Sequence, residues 1–420
     1  MSARGRPLVG KLAFLALERI SIMLPGVFGQ VWRWTSSSVQ NVLNSPIGLP
    51  PGVLALRPRH RQTWPKTPRG ALLRCALVSC VCQALAAVEP PALQLPPPPG
   101  PQQPDPLIPQ AWHLREMHVA EAWKITSGDP RVSLAFVDSG IDYNHPDLAP
   151  NLRWNAGEWP PNGIDDDGNG FIDDVIGWDF LHNRFLPWDV AGHGTFLSGL
   201  AAAVADNGMG SAGVCPKCTL LTCRFLNGDG FGDTHEAING IRYATRMRAA
   251  VVNLSFADRG FDDELYEAIK EAARADVVIV AASSNDGIDI DDQEIYPAKY
   301  KLPEMITVAA SNARGELWHG SNWGKASVHV AAPGEDVLGP WKSGWDIGSG
   351  TSDAAAIASG VLGLMRSANP KLPAAKVVAV ALATVRRSPA LQGKLKVPGV
   401  LDAVAAVRCA KDPLLPCLKY

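Results

Sequence analysis

Between residues 132 and 384, short runs of β-branched and apolar residues alternate with stretches of helical periodicity, and this alternation leaves few folds open. Residues 132–138, 219–225, 250–255, 277–282 and 305–310 read as strands, and 193–204, 234–247, 262–273, 352–368 and 374–384 as helices. The strands are almost continuously apolar, unlike the in-out alternation of a sheet with one wet face. Such strands need cover on both sides, which crossover helices between parallel strands provide. The expected fold class is α/β, three-layer, with a mostly parallel central sheet and helices on both faces. In these sheets ligands bind beyond the carboxyl ends of the strands, beside the helices that follow, so chemistry-bearing residues should gather at those junctions.

The 420 residues are 46% hydrophobic and 19% charged, enough apolar material for a substantial core. The net charge of −2 hides an asymmetry: residues 1–88 are strongly basic, so the remainder is acidic. An acidic folded portion argues against nucleic-acid binding. No apolar run reaches the ~18–20 residues of a bilayer span, so no transmembrane segment is expected. Residues 1–70 are basic, rich in Pro, Trp and Ser, and aperiodic; they read as a disordered or misassigned extension. Residues 71–88 (ALLRCALVSCVCQALAAV) resemble a secretory signal with Ala84-Leu85-Ala86 as the cleavage site. A start near residue 70, at a codon other than Met, would account for its late position. Pro-rich residues 89–104 predict a semi-rigid linker. One domain is expected over 105–408 and a tail over 409–420, in a protein secreted or associated with the cell envelope. Cys75, Cys80 and Cys82 would leave with the signal. Cys409 can pair with Cys417, and two of Cys215, Cys218 and Cys223 with each other, leaving one thiol unexplained.

Three junctions carry reactive groups. Asp138 closes a strand in Val137-Asp138-Ser139-Gly140, His193 opens a helix in Gly192-His193-Gly194-Thr195, and Ser352 opens another in Gly350-Thr351-Ser352. A hydroxyl nucleophile needs a base to take its proton, and that base needs a carboxylate to fix its tautomer and stabilise its charged form. Each motif alone is ordinary turn chemistry. The order Asp…His…Ser and the flanking residues together give them weight.

Residues 137–148 (VDSGIDYNHPDL), 192–199 (GHGTFLSG) and 350–360 (GTSDAAAIASG) closely resemble the three catalytic motifs of the subtilisin-like serine endopeptidases, the subtilases. Tyr296-Pro297-Ala298, whose X-Pro bond is usually cis in that family, and Ala331-Ala332-Pro333-Gly334 resemble further landmarks. The resemblance covers roughly residues 105–408. It implies Asp138 as orienter, His193 as general base and acid, and Ser352 as nucleophile. Asn285, in Ala282-Ser283-Ser284-Asn285, would donate to the oxyanion together with the Ser352 backbone N–H. Ser255, Phe256 and Ala257, with Gly230, Phe231 and Gly232, would pair with polypeptide substrate as an added strand. A monomer is expected.

Residues 162–174 read NGIDDDGNGFIDD. Asp165, Asp167 and Asn169 recur every second residue and Gly170 permits a sharp turn, as in calcium loops. The twelfth position is Ile176, so this is no EF-hand, and Asp173 or Asp174 is expected to complete the shell. Carboxylates this crowded repel one another without a cation, so calcium is the expected cofactor. A second calcium site, at Asp147 with Asn207, is implied by the resemblance alone.

The chain departs from the family pattern at Phe196 (usually His), Asp353 (usually Met), Ala356-Ile357 (Pro-His) and Ser284 (Gly). None removes a catalytic group. Asp353 places a carboxylate beside the developing oxyanion; an unpaired charge ~6 Å away at an effective dielectric of ~20 costs about 3 kcal/mol. It also raises the His193 pKa, which predicts an active but slow enzyme with an alkaline optimum. The alternative is a catalytically impaired peptide-binding relative. A non-proteolytic α/β hydrolase would need a Gly-x-Ser-x-Gly elbow and the order Ser…Asp…His, and Ser352 has neither.

Overall fold

The structure is a computed structural model that describes residues 90–96, 100, 102–342 and 344–412. The chain divides at residue 90 into two units, of which the second, Pro90–Tyr420, holds the described residues. The expected extension, the secretory-type segment and Cys417 lie outside the described residues.

In chain order the strands begin with β1 (Ser133–Asp138), β2 (Gly177–Asp179), β3 (Arg184–Phe185), β4 (Thr219–Arg224) and β5 (Val251–Leu254). They continue with β6 (Asp258–Arg259), β7 (Val278–Ala282), β8 (Ile295–Tyr296), β9 (Met305–Ser311) and β10 (Val330–Pro333). The last are β11 (Val337–Trp341), β12 (Gly344–Gly348), β13 (Arg386–Arg387) and β14 (Gly399–Val400). β6 with β8 and β11 with β12 form two-stranded antiparallel ribbons. The rest make one ten-stranded sheet in the order β13-β14-β10-β9-β7-β5-β1-β4-β2-β3. Pairing is parallel from β14 to β2 and antiparallel only at the two edges.

The helices are α1 (Trp112–Glu116), α2 (Val119–Trp123), α3 (His193–Ala202), α4 (Thr234–Arg246), α5 (Asp263–Arg274), α6 (Thr351–Ala368), α7 (Ala374–Ala383) and α8 (Ala403–Lys411). The side-chain alternation of the strands sorts them into layers. Leu134 and Phe136 of β1 enter one core with residues of α3, α6, α7 and α8, while Ala135 and Val137 enter another with residues of α4 and α5. β7 repeats the pattern, Val278 and Val280 facing the first core and Ile279 and Ala281 the second. Helices therefore cover both faces, as the apolar strands require.

α6 is buried from Thr351 to Arg366. Its small residues let it lie close to its neighbours: a Cβ on Gly360 would stand 2.7 Å from Val214, and one on Gly363 2.9 Å from Leu134. α4 starts in a capping box, Asp233 accepting from the helix and Glu236 reaching back to the cap.

The strands and helices expected from periodicity are present with ends displaced by one or two residues. Tyr296-Pro297 is cis, as is Trp159-Pro160. Residues 90–94 are held more closely than a tether: Tyr143 donates to the Pro91 carbonyl at 2.5 Å and Asn144 to that of Ala92 at 3.0 Å. Cys215 and Cys218 form a disulfide, S–S 2.08 Å. Cys409 is disulfide-bonded too, and among the described residues the buried Cys223 is a free thiol. No helix among the described residues is long and apolar enough to cross a membrane.

Candidate active site

Because β1, β5 and β7 run parallel and adjacent, their carboxyl ends open on one rim of the sheet. Asp138 ends β1, Ser255 follows β5 and Asn285 follows β7. His193 and Ser352 come to the same rim as the first turns of α3 and α6. His193 Nδ1 and Asp138 Oδ1 are 2.7 Å apart, and the Ser139 N–H donates to that same oxygen, also at 2.7 Å. Asp138 is 1% exposed. His193 lines the cleft with its side chain 38% exposed. Burial alone would lower the His193 pKa, but the attraction and hydrogen bond of Asp138, helped by Asp353 and Asp189, outweigh it and raise the imidazole to about 9.

His193, Ser352 and Asn285 line one cleft of about 710 Å³, together with Ser255, Phe256, Ala257, Gly230, Phe231 and Gly232. The structure thus gathers every residue that the sequence motifs nominated for catalysis or substrate contact. Asn285 Oδ1 accepts from both the N–H and the hydroxyl of Thr351 at 2.9 Å, which leaves its Nδ2 as a donor. Ser284 before it has φ 77°, a left-handed conformation that explains why the family prefers Gly there. Asp353 is 5% exposed, and its Oδ2 has no hydrogen-bond partner among the described residues. Desolvation lifts its carboxyl to about 7, opposed in part by the charge of His193.

Asp189 was not among the residues expected from sequence. This buried carboxylate accepts from the Ser139 hydroxyl, the Gly192 and Thr195 N–H groups and the Thr195 hydroxyl, all within 2.7–2.9 Å. Ser139 in turn accepts from the Gly194 N–H at 2.9 Å. Asp189 thereby ties the loop after β1 to the first turn of α3, the two pieces that carry Asp138 and His193. An Asp three residues before the Gly-His-Gly-Thr turn was the available clue.

A family model described as the subtilase family matches residues 129–402. The chain belongs to the subtilase family. Thermitase of Thermoactinomyces vulgaris is 34% identical over 254 residues, covering 60% of this chain and 81% of that protein. Subtilisin-like protease 1 of Plasmodium berghei is 29% identical over 316 residues, 71% of this chain but 53% of the relative, so this subtilase spans about half that protein's length. A solved structure of proteases from Pseudoalteromonas arctica PAMC 21717 has a TM-score of 0.62 over 74% of this chain and 100% of that one. At 24% identity it shows the shared fold.

In the acidic loop of this subtilase, carboxylate oxygens of Glu158, Asp165 and Asp167 lie within 4.8 Å of one another. Glu158, which the motif did not include, is fully buried and accepts from the Asp167 and Asp173 N–H groups at 2.9 Å. Asp173 accepts instead from the Asn162 and Gly163 amides, and Asp174 from Tyr243, Asn155 and Asn169. Neither belongs to that trio. Asn169 donates to Asp167 at 3.2 Å. The donor set, all hard oxygens, fits calcium. At the other expected site Asn207 donates to Asp147 Oδ1 at 2.7 Å and Trp345 to Oδ2 at 2.9 Å. Burial raises the Asp147 carboxyl to about 7.

Proposed function

We propose that this subtilase is a calcium-stabilised serine endopeptidase that hydrolyses polypeptides through an acyl-enzyme. The observation that carries the reading is the Asp138–His193 hydrogen bond of 2.7 Å, set in a cleft whose walls include Ser352 and Asn285. With Nδ1–H donated to Asp138, the other imidazole nitrogen has the lone pair that accepts the Ser352 hydroxyl proton. The freed oxygen bonds to the substrate carbonyl carbon, whose own oxygen takes the negative charge. Asn285 Nδ2 and the Ser352 N–H, at the positive end of α6, donate to that oxyanion. His193 then passes its proton to the departing amine, and water repeats the sequence on the acyl-enzyme. Segments 230–232 and 255–257 hold the substrate backbone as an added strand.

Glu158, Asp165 and Asp167, joined by Asn169, would hold calcium, which relieves the repulsion of the crowded carboxylates and keeps the loop closed. Asp147 and Asn207 form the second, weaker candidate. Export to a secreted or cell-envelope location agrees with the Cys215–Cys218 disulfide and with calcium dependence.

The test is cleavage of an unfolded polypeptide by the purified protein in calcium. Wild type is expected to cut it, and Ser352→Ala to lose at least about a thousandfold. Undiminished cleavage by Ser352→Ala would overturn the mechanism. The buried carboxylate of Asp353 favours a second reading, a peptide-binding relative, which predicts that wild type binds the polypeptide without cutting it.

A further inference from the structure

A polypeptide cut in its interior continues on both sides of the scissile bond, so the nucleophile must face room for the leaving half as well as for the acyl half. Segments 230–232 and 255–257 line the larger cleft. A second cavity of about 330 Å³ touches the same His193, Asn285 and Ser352, and its further walls include Phe196, Trp341 and Asp353. Its volume is at the lower end for ligand pockets and suits one large side chain. The β11–β12 ribbon forms one wall. Gly192 and Gly199 seat that ribbon against α3, since a Cβ there would stand 3.0 Å from the Trp341 ring and 2.2 Å from Pro340.

Two carboxylates line this cavity, the exposed Asp346 on the ribbon and the buried Asp353, and the buried one is the odd member. It is 5% exposed, one carboxylate oxygen is unpartnered, and no Lys or Arg among the described residues lines the cavity. A buried polar atom without a partner is costly, which makes a partner brought by substrate the simplest explanation. We propose that this cavity receives the first side chain on the leaving side of the scissile bond and that Asp353 selects Lys or Arg there. The aliphatic stem would lie against Phe196 and Trp341, whose rings meet edge to face at 6.1 Å, while the cationic head reaches Asp353. Trp341 already accepts a cation, the Lys342 ammonium 5.7 Å from its ring centroid. An acidic side chain would be repelled, and an aliphatic one would leave the carboxylate unpaired. Pairing Asp353 also cancels the charge that opposes the oxyanion, so the cation acts on kcat as well as on KM.

This inference rests on the endopeptidase reading, and its test separates the two. Quenched fluorogenic peptides share one acyl half and differ only in the first leaving-side residue: Lys, Arg, Leu or Glu. Covalent labelling of the same preparation with a fluorophosphonate reports whether Ser352 is competent. Lys and Arg peptides are expected to exceed the Leu peptide at least about tenfold in kcat/KM, with Glu lowest. In Asp353→Asn the Lys-to-Leu ratio should fall to within about twofold. Equal kcat/KM for Lys and Leu in wild type with Ser352 labelled would overturn the cation subsite alone, and that series decides the matter even if the variant does not fold. A Lys preference that survives in Asp353→Asn would remove Asp353 from the account. Neither labelling nor cleavage would overturn both readings.

Discussion

Asn285 is braced by two hydrogen bonds from Thr351 before any substrate arrives, so its amide needs little reorganisation to meet an oxyanion. A side-chain donor of this kind is worth ~10²–10³ in kcat, a magnitude established in subtilisin itself. Asn285→Ala should therefore lower kcat by that factor with KM nearly unchanged, as steady-state kinetics would reveal; a change confined to KM would assign Asn285 to substrate binding. His193 has to be neutral to act as a base, and its carboxylate neighbours hold its proton to about pH 9. Activity should accordingly rise with pH through an acid limb whose midpoint is alkaline. Asp353→Asn removes one of the charges that favour the imidazolium, so the kcat/KM midpoint should move down. A midpoint unmoved or raised would contradict this electrostatic reading. Asp138, His193 and Ser352 were legible in the sequence because each sits in a short motif at a strand or helix end. Asp189 and Glu158 were not, because each acts across the fold: one joins β1 to α3, and the other reaches backbone amides nine and fifteen residues along.

The first turn of α3 shows how an element is placed as a unit. Asp189 accepts four hydrogen bonds there, and Gly194 lies so close to the turn after β1 that a Cβ would stand 2.2 Å from the Gly140 carbonyl. Asp189→Ala leaves several buried donors unpaired at about 1–3 kcal/mol each. Denaturant titration should show a loss of at least about 2 kcal/mol, with activity falling as His193 loses its support. A variant of wild-type stability would show that water replaces the carboxylate. The long elements were readable from periodicity, since α6 is apolar over most of its length and the central parallel strands are largely so. The β11–β12 ribbon was not: VLGPW and GWDIG mix Gly, Pro, Trp and Asp without alternation, and the ribbon packs against α3, which is distant in sequence. Strand order escaped as well, because nothing local says that β1 lies between β4 and β5.

Across the molecule, two cores on opposite faces of one sheet fix the rim on which the reactive groups meet, whereas the acidic loop, anchored to one of them by Phe171, crowds its carboxylates at the surface. Binding of calcium to the folded form alone stabilises it by about 2.7 kcal/mol when the ion is present at about a hundred times its dissociation constant. Chelation should lower the melting temperature by several degrees, and Glu158→Gln should show a smaller chelator effect than wild type. A melting temperature indifferent to chelator would remove calcium from the account. The proposed peptide hydrolysis depends on Ser352 being activated by His193, and mass spectrometry of fluorophosphonate-treated protein probes that activation in one step. One adduct per chain is expected, carried by the peptide that contains Ser352 and lost in His193→Ala. Protein that stays unmodified in calcium at alkaline pH, or carries its adduct on another serine, would contradict it.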